Sequence, residues 1–589
     1  MNLHYSSEKN IQILIALLKA HDITNFIVSP GSANANFVIS IQQDPDFKIY
    51  SCIDERSAAY MACGLAAETK QPVAICCTGA TASRNYMPGL TEAYYRKLPV
   101  IAITATRDIN LLGMNRDQLV DRTVIPHDIA ICSVHLPIVK DADTEWECMI
   151  KVNKALLELK RNGGGPVHIN LTTSYSKDFS VKNLPSVNII DRFDYRDKIS
   201  ELPDLPNGKI AVFVGSHDYW SEDLTLAVDA FCENYNAVVL CDHNSNYRGK
   251  YGIFFDLLNI QGGYSPEIQQ LDTIIHLGDI SASGPRNCRS VWRVNPDGEL
   301  RDTYKKLKYV FQMEEQDFFI KYNKKAEENT PRTDFYNAWQ KEYDDLMDVL
   351  RAQEDQMPFS SIWVALNSYN KLPGNSVLHL AILNSLRSWN FFGPANIKGA
   401  FANTGGFGID GCVSTLIGAS LANTGDIYYL VTGDLAFFYD MNALGNRHIG
   451  PNVRIILVNN GLGSEFKNNL NPQQQAGLGD DADPYVAAKG HYGKMSHVLV
   501  KNYVENLGFK YLSANNKQEF LNTIPVLFST NIEDGPLICE LFINEKDDVE
   551  ALKQIEQLKA SPEGAAKQLA KSVLGDKGVQ KLKHFLGKD

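Results

Sequence analysis

The 589-residue sequence has no apolar run long enough to span a bilayer, no C-x-x-C pair, and no G-x-G-x-x-G opening a helix in its middle third. The first absence argues against membrane insertion. The second, with eleven cysteines set mostly in apolar surroundings (Cys52, Cys63, Cys76, Cys77, Cys241), argues against a zinc site or a disulfide framework and for free thiols in a reducing compartment. The third leaves an adenine-dinucleotide cofactor unsupported. A cationic face is missing too. The net charge is −12 and is spread along the chain, which argues against nucleic acid as a partner. The opening MNLHYSSEKN lacks the cationic segment and apolar core of a secretory signal, so a cytoplasmic location is expected. What remains is an ordinary globular composition, 44% hydrophobic and 21% charged, long enough for about three or four domains.

The chain is organised around residues 428–466. Residues 428–432 form a short apolar run, read as a buried strand, and Gly433-Asp434 breaks it. Residues 437–444 show helical spacing, 453–458 form a second β-rich run, and Asn459-Asn460-Gly461 closes it. This is a βαβ unit with a polar turn at the carboxyl end of each strand, where open parallel sheets bind ligands. Asp434 and Asn460 then come out side by side at one crevice. A carboxylate, an amide oxygen and a loop carbonyl form a hard oxygen set that suits Mg²⁺. Taken singly, an Asp at a helix start and an Asn-Gly turn are common structural features. Together, at this spacing, they resemble the diphosphate–metal motif of thiamine-diphosphate enzymes. That resemblance implies Asp434, Asn460 and the Leu462 carbonyl as metal ligands, with Gly433 and Leu435 against the cofactor.

The first third alternates strands (25–28, 47–53, 73–77, 100–105, 167–171) with helical stretches, giving a doubly wound parallel sheet. Glu55 stands at a strand end, where an acid also favours the start of the next helix. The runs around it, IDERSAAYMACGLAAE and PVAICCTGATASRNYMPGLTEAYY, resemble the pyrimidine-binding domain of thiamine-diphosphate enzymes, and more closely the MenD family of the menaquinone pathway. By this resemblance Glu55 hydrogen-bonds the cofactor's aminopyrimidine from a largely apolar pocket with a raised pKa. Ser32, Gly79 and Asn85 bind the cofactor, Gln118 faces the substrate, and Arg107, with Arg116 and Arg122 on the next loop, binds a 2-oxo acid carboxylate.

Residues 171–186 read as a polar linker. Strands at 210–215, 238–241 and 273–278 mark a central α/β domain, and 305–325 and 336–354 read as charged, helical connections. In the last third, a strand at 376–381 precedes the loop NTGGFGIDG (403–411), whose glycines allow close backbone approach to a ligand. It resembles the MenD cofactor clamp, with Gly405, Gly406 and Phe407 as contacts and Ile409 as an apolar wedge. The substrate positions depart from that family. Ala33, Thr404 and Trp389 stand where its arginines are expected, although Arg387 is near. Glu465 stands where an apolar residue is expected, and can bind hydroxyl or amino groups or act as a second acid/base.

The expectation is therefore an α/β chain of three doubly wound parallel-sheet domains: pyrimidine-binding (1–180), central (190–345) and diphosphate-binding (355–545). A helical tail (549–589) follows, with short amphipathic helices around Leu569–Leu574 and Val579–Phe585. The resemblance implies thiamine diphosphate and Mg²⁺ as cofactors and a homodimer or homotetramer. The expected reaction is decarboxylation of a 2-oxo acid, such as pyruvate, and addition to a keto sugar or aldehyde, with Glu55, Gln118 and Glu465 as catalytic residues. Two alternatives stand beside it: the MenD reaction of 2-oxoglutarate with isochorismate, and a non-catalytic binding protein of this fold.

Overall fold

The computed structural model describes residues 4–326, 329–467, 476–491, 496–532 and 535–559. Contacts divide the chain into two compact units, Met1–Asp194 with Asp297–Gln312, and Tyr195–Pro296 with Met313–Asp589.

The first unit is built on β1 (Asn25–Val28), β2 (Lys48–Ser51), β3 (Val73–Thr78), β4 (Val100–Thr106), β5 (Cys132–Leu136) and β6 (Val167–Thr172). They form a six-stranded sheet in the order β2-β1-β3-β4-β6-β5, parallel throughout. Side chains alternate between its faces. Phe26, Val28, Ala74, Cys76, Ile101 and Ile103 join one core with residues of the helices Lys9–Ala20 and Ala142–Glu158. Ile27, Ile75, Cys77 and Ala102 join another with Ala58, Ala59 and Ala62 of the helix Glu55–Thr69. Covering both faces explains why β3 and β4 are apolar along nearly their whole length.

The stretch expected to be a free linker packs onto this unit instead. Tyr5 bridges to Val181, and the Glu8 carboxylate accepts from the Ser174 and Ser176 amides and the Thr173 hydroxyl. The unit runs on through β7 (Asp191–Asp194), past the expected boundary at 180.

The central region carries β8 (Ile210–Val214), β9 (Val238–Cys241), β10 (Gly252–Phe254), β11 (Gln270–Leu277) and β12 (Asn287–Val294), ordered β10-β9-β8-β11-β12. The chain then returns to the first unit as β13 (Leu307–Gln312), which pairs in parallel with β7. A helix was expected across 305–325. The lysines there suggested a solvated helix, but Leu307, Val310 and Phe311 are buried and make 307–312 a strand. Only Glu315–Lys325 is helical.

The last region holds β14 (Ser376–Leu380), β15 (Gly399–Phe401), β16 (Ile427–Gly433), β17 (Val453–Asn459), β18 (Lys510–Ala514) and β19 (Leu537–Phe542). Its six strands, all parallel, run β15-β14-β16-β17-β19-β18. This is the same winding as the first sheet. In each, the chain steps outward once and then crosses to the other side, leaving a switch point between β1 and β3 and between β14 and β16. Crevices form at the carboxyl ends of such strands. The helix Glu545–Glu556 closes this region with Ala551, Leu552 and Ile555 buried. Residues 549–556 thus belong to the domain rather than to a separate tail, because their apolar stripe faces its core. The tail helices expected beyond 559 lie outside the described residues.

Candidate active site

β16 ends at Gly433, and the helix Asp434–Asp440 begins there, earlier than the helical spacing at 437–444 suggested. Asp434 is 5% exposed. Its carboxylate accepts from the Gly461 amide at 2.7 Å and from its neighbour Leu435 at 2.8 Å. Burial pushes its pKa up to about 7, against the pull of those backbone donors. The turn after β17 supplies the second half of the arrangement. Gly461 adopts φ +78°, a conformation glycine takes at little cost. Asn460 donates its side-chain amide to Asp548 at 3.2 Å, which directs its Oδ1 the other way. That oxygen has only a long contact, 3.4 Å, from the Leu462 amide. The Asp434 carboxylate is thus tied to the Asn460–Gly461 turn through the Gly461 amide.

Asp548 is the residue that sequence reasoning missed. It lies far along the chain, on the helix Glu545–Glu556, and accepts from Asn460 and from the Ser361 amide at 2.7 Å. Nothing in a run of alternating charges marked it. The pattern of apolar residues at 551, 552 and 555 would have shown which face of the helix turns inward.

The glycine loop offers space. A Cβ placed on Gly405, Gly406 or Gly433 would meet nothing within 4 Å. Phe407 has φ +52° and is 38% exposed, and Ile409 is half-buried against the domain core. In the first unit two loop glycines are closely packed instead: a Cβ on Gly31 would lie 2.1 Å from Thr78 Cγ2, and one on Gly79 2.1 Å from Arg122 Nη1. Ser32 and Asn85 are exposed.

Glu55 opens the helix Glu55–Thr69, with Asp54 capping it through the Arg56 amide. Its carboxylate accepts from Asn85 Nδ2 at 3.3 Å. Among the described residues the expected apolar enclosure is not formed: Glu55 is half-buried, and Ile53, Tyr60 and Met61 are 84%, 47% and 45% exposed. The apolar side chains that would line a pocket are present, but the wall facing them is not supplied within this unit.

The comparisons with known proteins follow this geometry. Residues 9–125 match the family model described as the thiamine pyrophosphate enzyme, N-terminal TPP binding domain. Relatives named 2-succinyl-5-enolpyruvyl-6-hydroxy-3-cyclohexene-1-carboxylate synthase are 30% identical in Bacteroides thetaiotaomicron and in Phocaeicola vulgatus. Each alignment covers 93% of this chain and 98% of the relative. The chain belongs to the MenD family of thiamine-diphosphate-dependent enzymes. A solved structure described as a Rhodococcus jostii RHA1 thiamine diphosphate-dependent 4-hydroxybenzoylformate decarboxylase is more distant, at 15% identity and a TM-score of 0.38 over 91% of this chain and 99% of its own.

The open glycines beside Asp434 and the oriented Asn460 oxygen fit thiamine diphosphate and Mg²⁺. The donor set is all oxygen, as Mg²⁺ requires, and leaves coordination places for phosphate and water. No helix among the described residues is long and apolar enough to cross a membrane.

Ala33, Thr404 and Trp389, at the positions of expected arginines, are all buried. Arg387 does reach the crevice, but Glu465 is not a free carboxylate there: Arg387 Nη2 donates to Glu465 Oε1 at 2.8 Å. In the first unit Arg107 lies over the Tyr175 ring, 5.2 Å from its centroid, and within 3.4 Å of Asp117. Gln118 is exposed with φ +55°. Arg122, expected beside Arg107 on a substrate loop, is instead 5% exposed, bonded to Asn170 Oδ1 and packed under Gly79. His127 and His491 are exposed.

Proposed function

We propose that this enzyme decarboxylates a 2-oxo acid and joins the remaining carbon unit to a second substrate, and that 2-oxoglutarate and isochorismate are the donor and acceptor. The family relationship over nearly the full length of chain and relatives supports this pair over the keto sugar or aldehyde first expected. The observation that carries the reaction class is the buried Asp434 carboxylate tied to the Asn460 turn, with open glycines beside it.

Asp434, Asn460 and the Leu462 carbonyl would hold Mg²⁺, and the Gly405–Phe407 loop would approach the cofactor. Bound thiamine diphosphate supplies a carbon nucleophile and an electron sink for the decarboxylation. Glu55 would share a proton with the cofactor's aminopyrimidine ring, held in place by Asn85. Its half-open surroundings fit a second copy of the chain as the missing wall: enclosing Ile53, Tyr60 and Met61 would exclude water from the carboxyl group. A homodimer, or a tetramer built from it, is therefore part of this reading. Arg107, steadied on Tyr175, would bind the carboxylate of the 2-oxo acid.

A second reading keeps the same chemistry with a less acidic acceptor. It is favoured by the burial of Ala33, Thr404 and Trp389 and by the Arg387–Glu465 pair, which leave few cations for a polycarboxylic acceptor. Mass spectrometry of products decides between the two. The protein with thiamine diphosphate and Mg²⁺ would be given 2-oxoglutarate with isochorismate, or pyruvate with glycolaldehyde. The first pair should yield the adduct minus CO₂. Product from the second pair alone would establish the second reading, and product from neither would remove the carboligase assignment.

A further inference from the structure

The Arg387–Glu465 pair lies at the carboxyl edge of the last sheet. Arg387 is on the helix Asn384–Asn390, which follows β14. Glu465 is on the short turn Ser464–Lys467, directly after the metal-type turn that follows β17. The two strands flank β16 and its Asp434. Arg387 uses its fork for two different partners, Nη2 to Glu465 Oε1 at 2.8 Å and Nη1 to Asn384 Oδ1 at 3.0 Å.

This is a one-point contact. A guanidinium facing a carboxylate commonly makes two parallel bonds, whereas here Glu465 Oε2 is buried with no hydrogen-bond partner. Glu465 therefore holds Arg387 with half of its bonding capacity, and a buried acceptor without a donor is costly. Both side chains are also accessible, at 29% and 32% exposure, so an incoming anion can reach the guanidinium without disturbing the core. Asp256, on another segment of the same unit, is within electrostatic reach of Arg387. Among these three groups only Glu465 sits on the turn facing the crevice.

We propose that Glu465 competes with a substrate carboxylate for Arg387, and that this competition sets the enzyme's preference between carboxylated and neutral acceptors. With the pair closed, the subsite takes a carbonyl compound bearing hydroxyl or amino groups. A carboxylated substrate binds there by displacing Glu465 and taking the two-point contact that Glu465 does not make. The inference rests on the reading of this crevice as the carboligase site.

Glyoxylate and glycolaldehyde, nearly equal in size and differing by a carboxylate, are the acceptor probes. With pyruvate or 2-oxoglutarate as donor, the ratio of kcat/KM for glyoxylate over glycolaldehyde should rise about tenfold or more in Glu465→Gln, and the gain should vanish in Arg387→Gln/Glu465→Gln. Calorimetry of glycolate, which carries the carboxylate but no carbonyl to react, binding to the cofactor-loaded protein gives a readout independent of turnover, and Glu465→Gln should bind it about tenfold more tightly. Unchanged ratio and unchanged affinity in a folded Glu465→Gln variant would overturn the proposal. Tighter binding without turnover on any 2-oxo acid would support the competition while removing the carboligase reading.

Discussion

Asn460 is oriented by Asp548: the Asn460 side-chain amide donates to the Asp548 carboxylate across 3.2 Å, and the same carboxylate caps the Ser361 amide at 2.7 Å. The helix Glu545–Glu556 thereby fixes the orientation of the Asn460 amide group. Partners of this kind, one step removed from a metal, commonly change metal affinity 10–100-fold when lost. Asp548→Ala should weaken Mg²⁺ affinity by about tenfold or more, measured by titrating Mg²⁺ into the protein with thiamine diphosphate. It should also lower stability by about 1–3 kcal/mol, because the Ser361 amide loses its acceptor.

Asp434→Asn removes the charge from the proposed metal set while keeping an oxygen for the Gly461 amide. The fold should be retained with Tm close to the wild-type value, since the loss of a buried charge is offset by an amide NH2 standing where the Leu435 amide had its acceptor. Cofactor binding in the presence of Mg²⁺ should fall by at least about tenfold, as read by calorimetry. Unimpaired binding would separate Asp434 from the metal.

Gly89 lies where the helix Met87–Tyr95 crosses the helix that carries Glu55. A Cβ there would lie 2.4 Å from Ala59 Cβ and 2.9 Å from the Ala59 carbonyl carbon. Gly89→Ala should cost about 1–3 kcal/mol through overpacking, seen as a lower midpoint in denaturant. It should also reduce activity, since the displaced backbone leads directly to Glu55.

His168 is buried between Thr104 and Ser133, with ring nitrogens 2.7 Å and 2.9 Å from their hydroxyls. Burial, with Arg122 nearby, pulls its pKa down from 6.5 to about 3. The neutral ring is therefore favoured in the folded state. Its contribution to stability is complete above the unfolded value of 6.5 and is lost as pH falls from there towards 3. Between pH 7 and pH 5 this amounts to about 2 kcal/mol. His168→Asn should remove that much of the wild-type loss of stability over this range, measured as the difference between denaturation curves at the two pH values.

The sequence made much of this legible. The apolar runs of β3, β4, β16 and β17 are readable because strands covered on both faces are mostly apolar along their length. The turns after β16 and β17 were legible for the same reason, since Asp434 and Asn460 sit where those strands stop. β12 and β13 escaped notice because Arg289 and Lys308 interrupt their apolar pattern on one side only. The roles of Asp548 and Arg387 depend on side chains brought together from distant segments, which no local spacing records. Arg122 was misplaced because a loop arginine is ordinarily solvated, whereas this one packs beneath Gly79 and bonds Asn170. The reserved character of Glu465 likewise became visible only with its partner in place.

The central claim is that Glu55 and the Asp434–Asn460 site together drive decarboxylation of a 2-oxo acid. The most direct test is CO₂ release by the purified protein with thiamine diphosphate and Mg²⁺, comparing 2-oxoglutarate and pyruvate and using Glu55→Gln as the control. Release from at least one substrate is expected, with a loss of about 10²-fold or more in the variant while it still binds the cofactor. No release from either substrate, or wild-type rates in Glu55→Gln, would contradict the account.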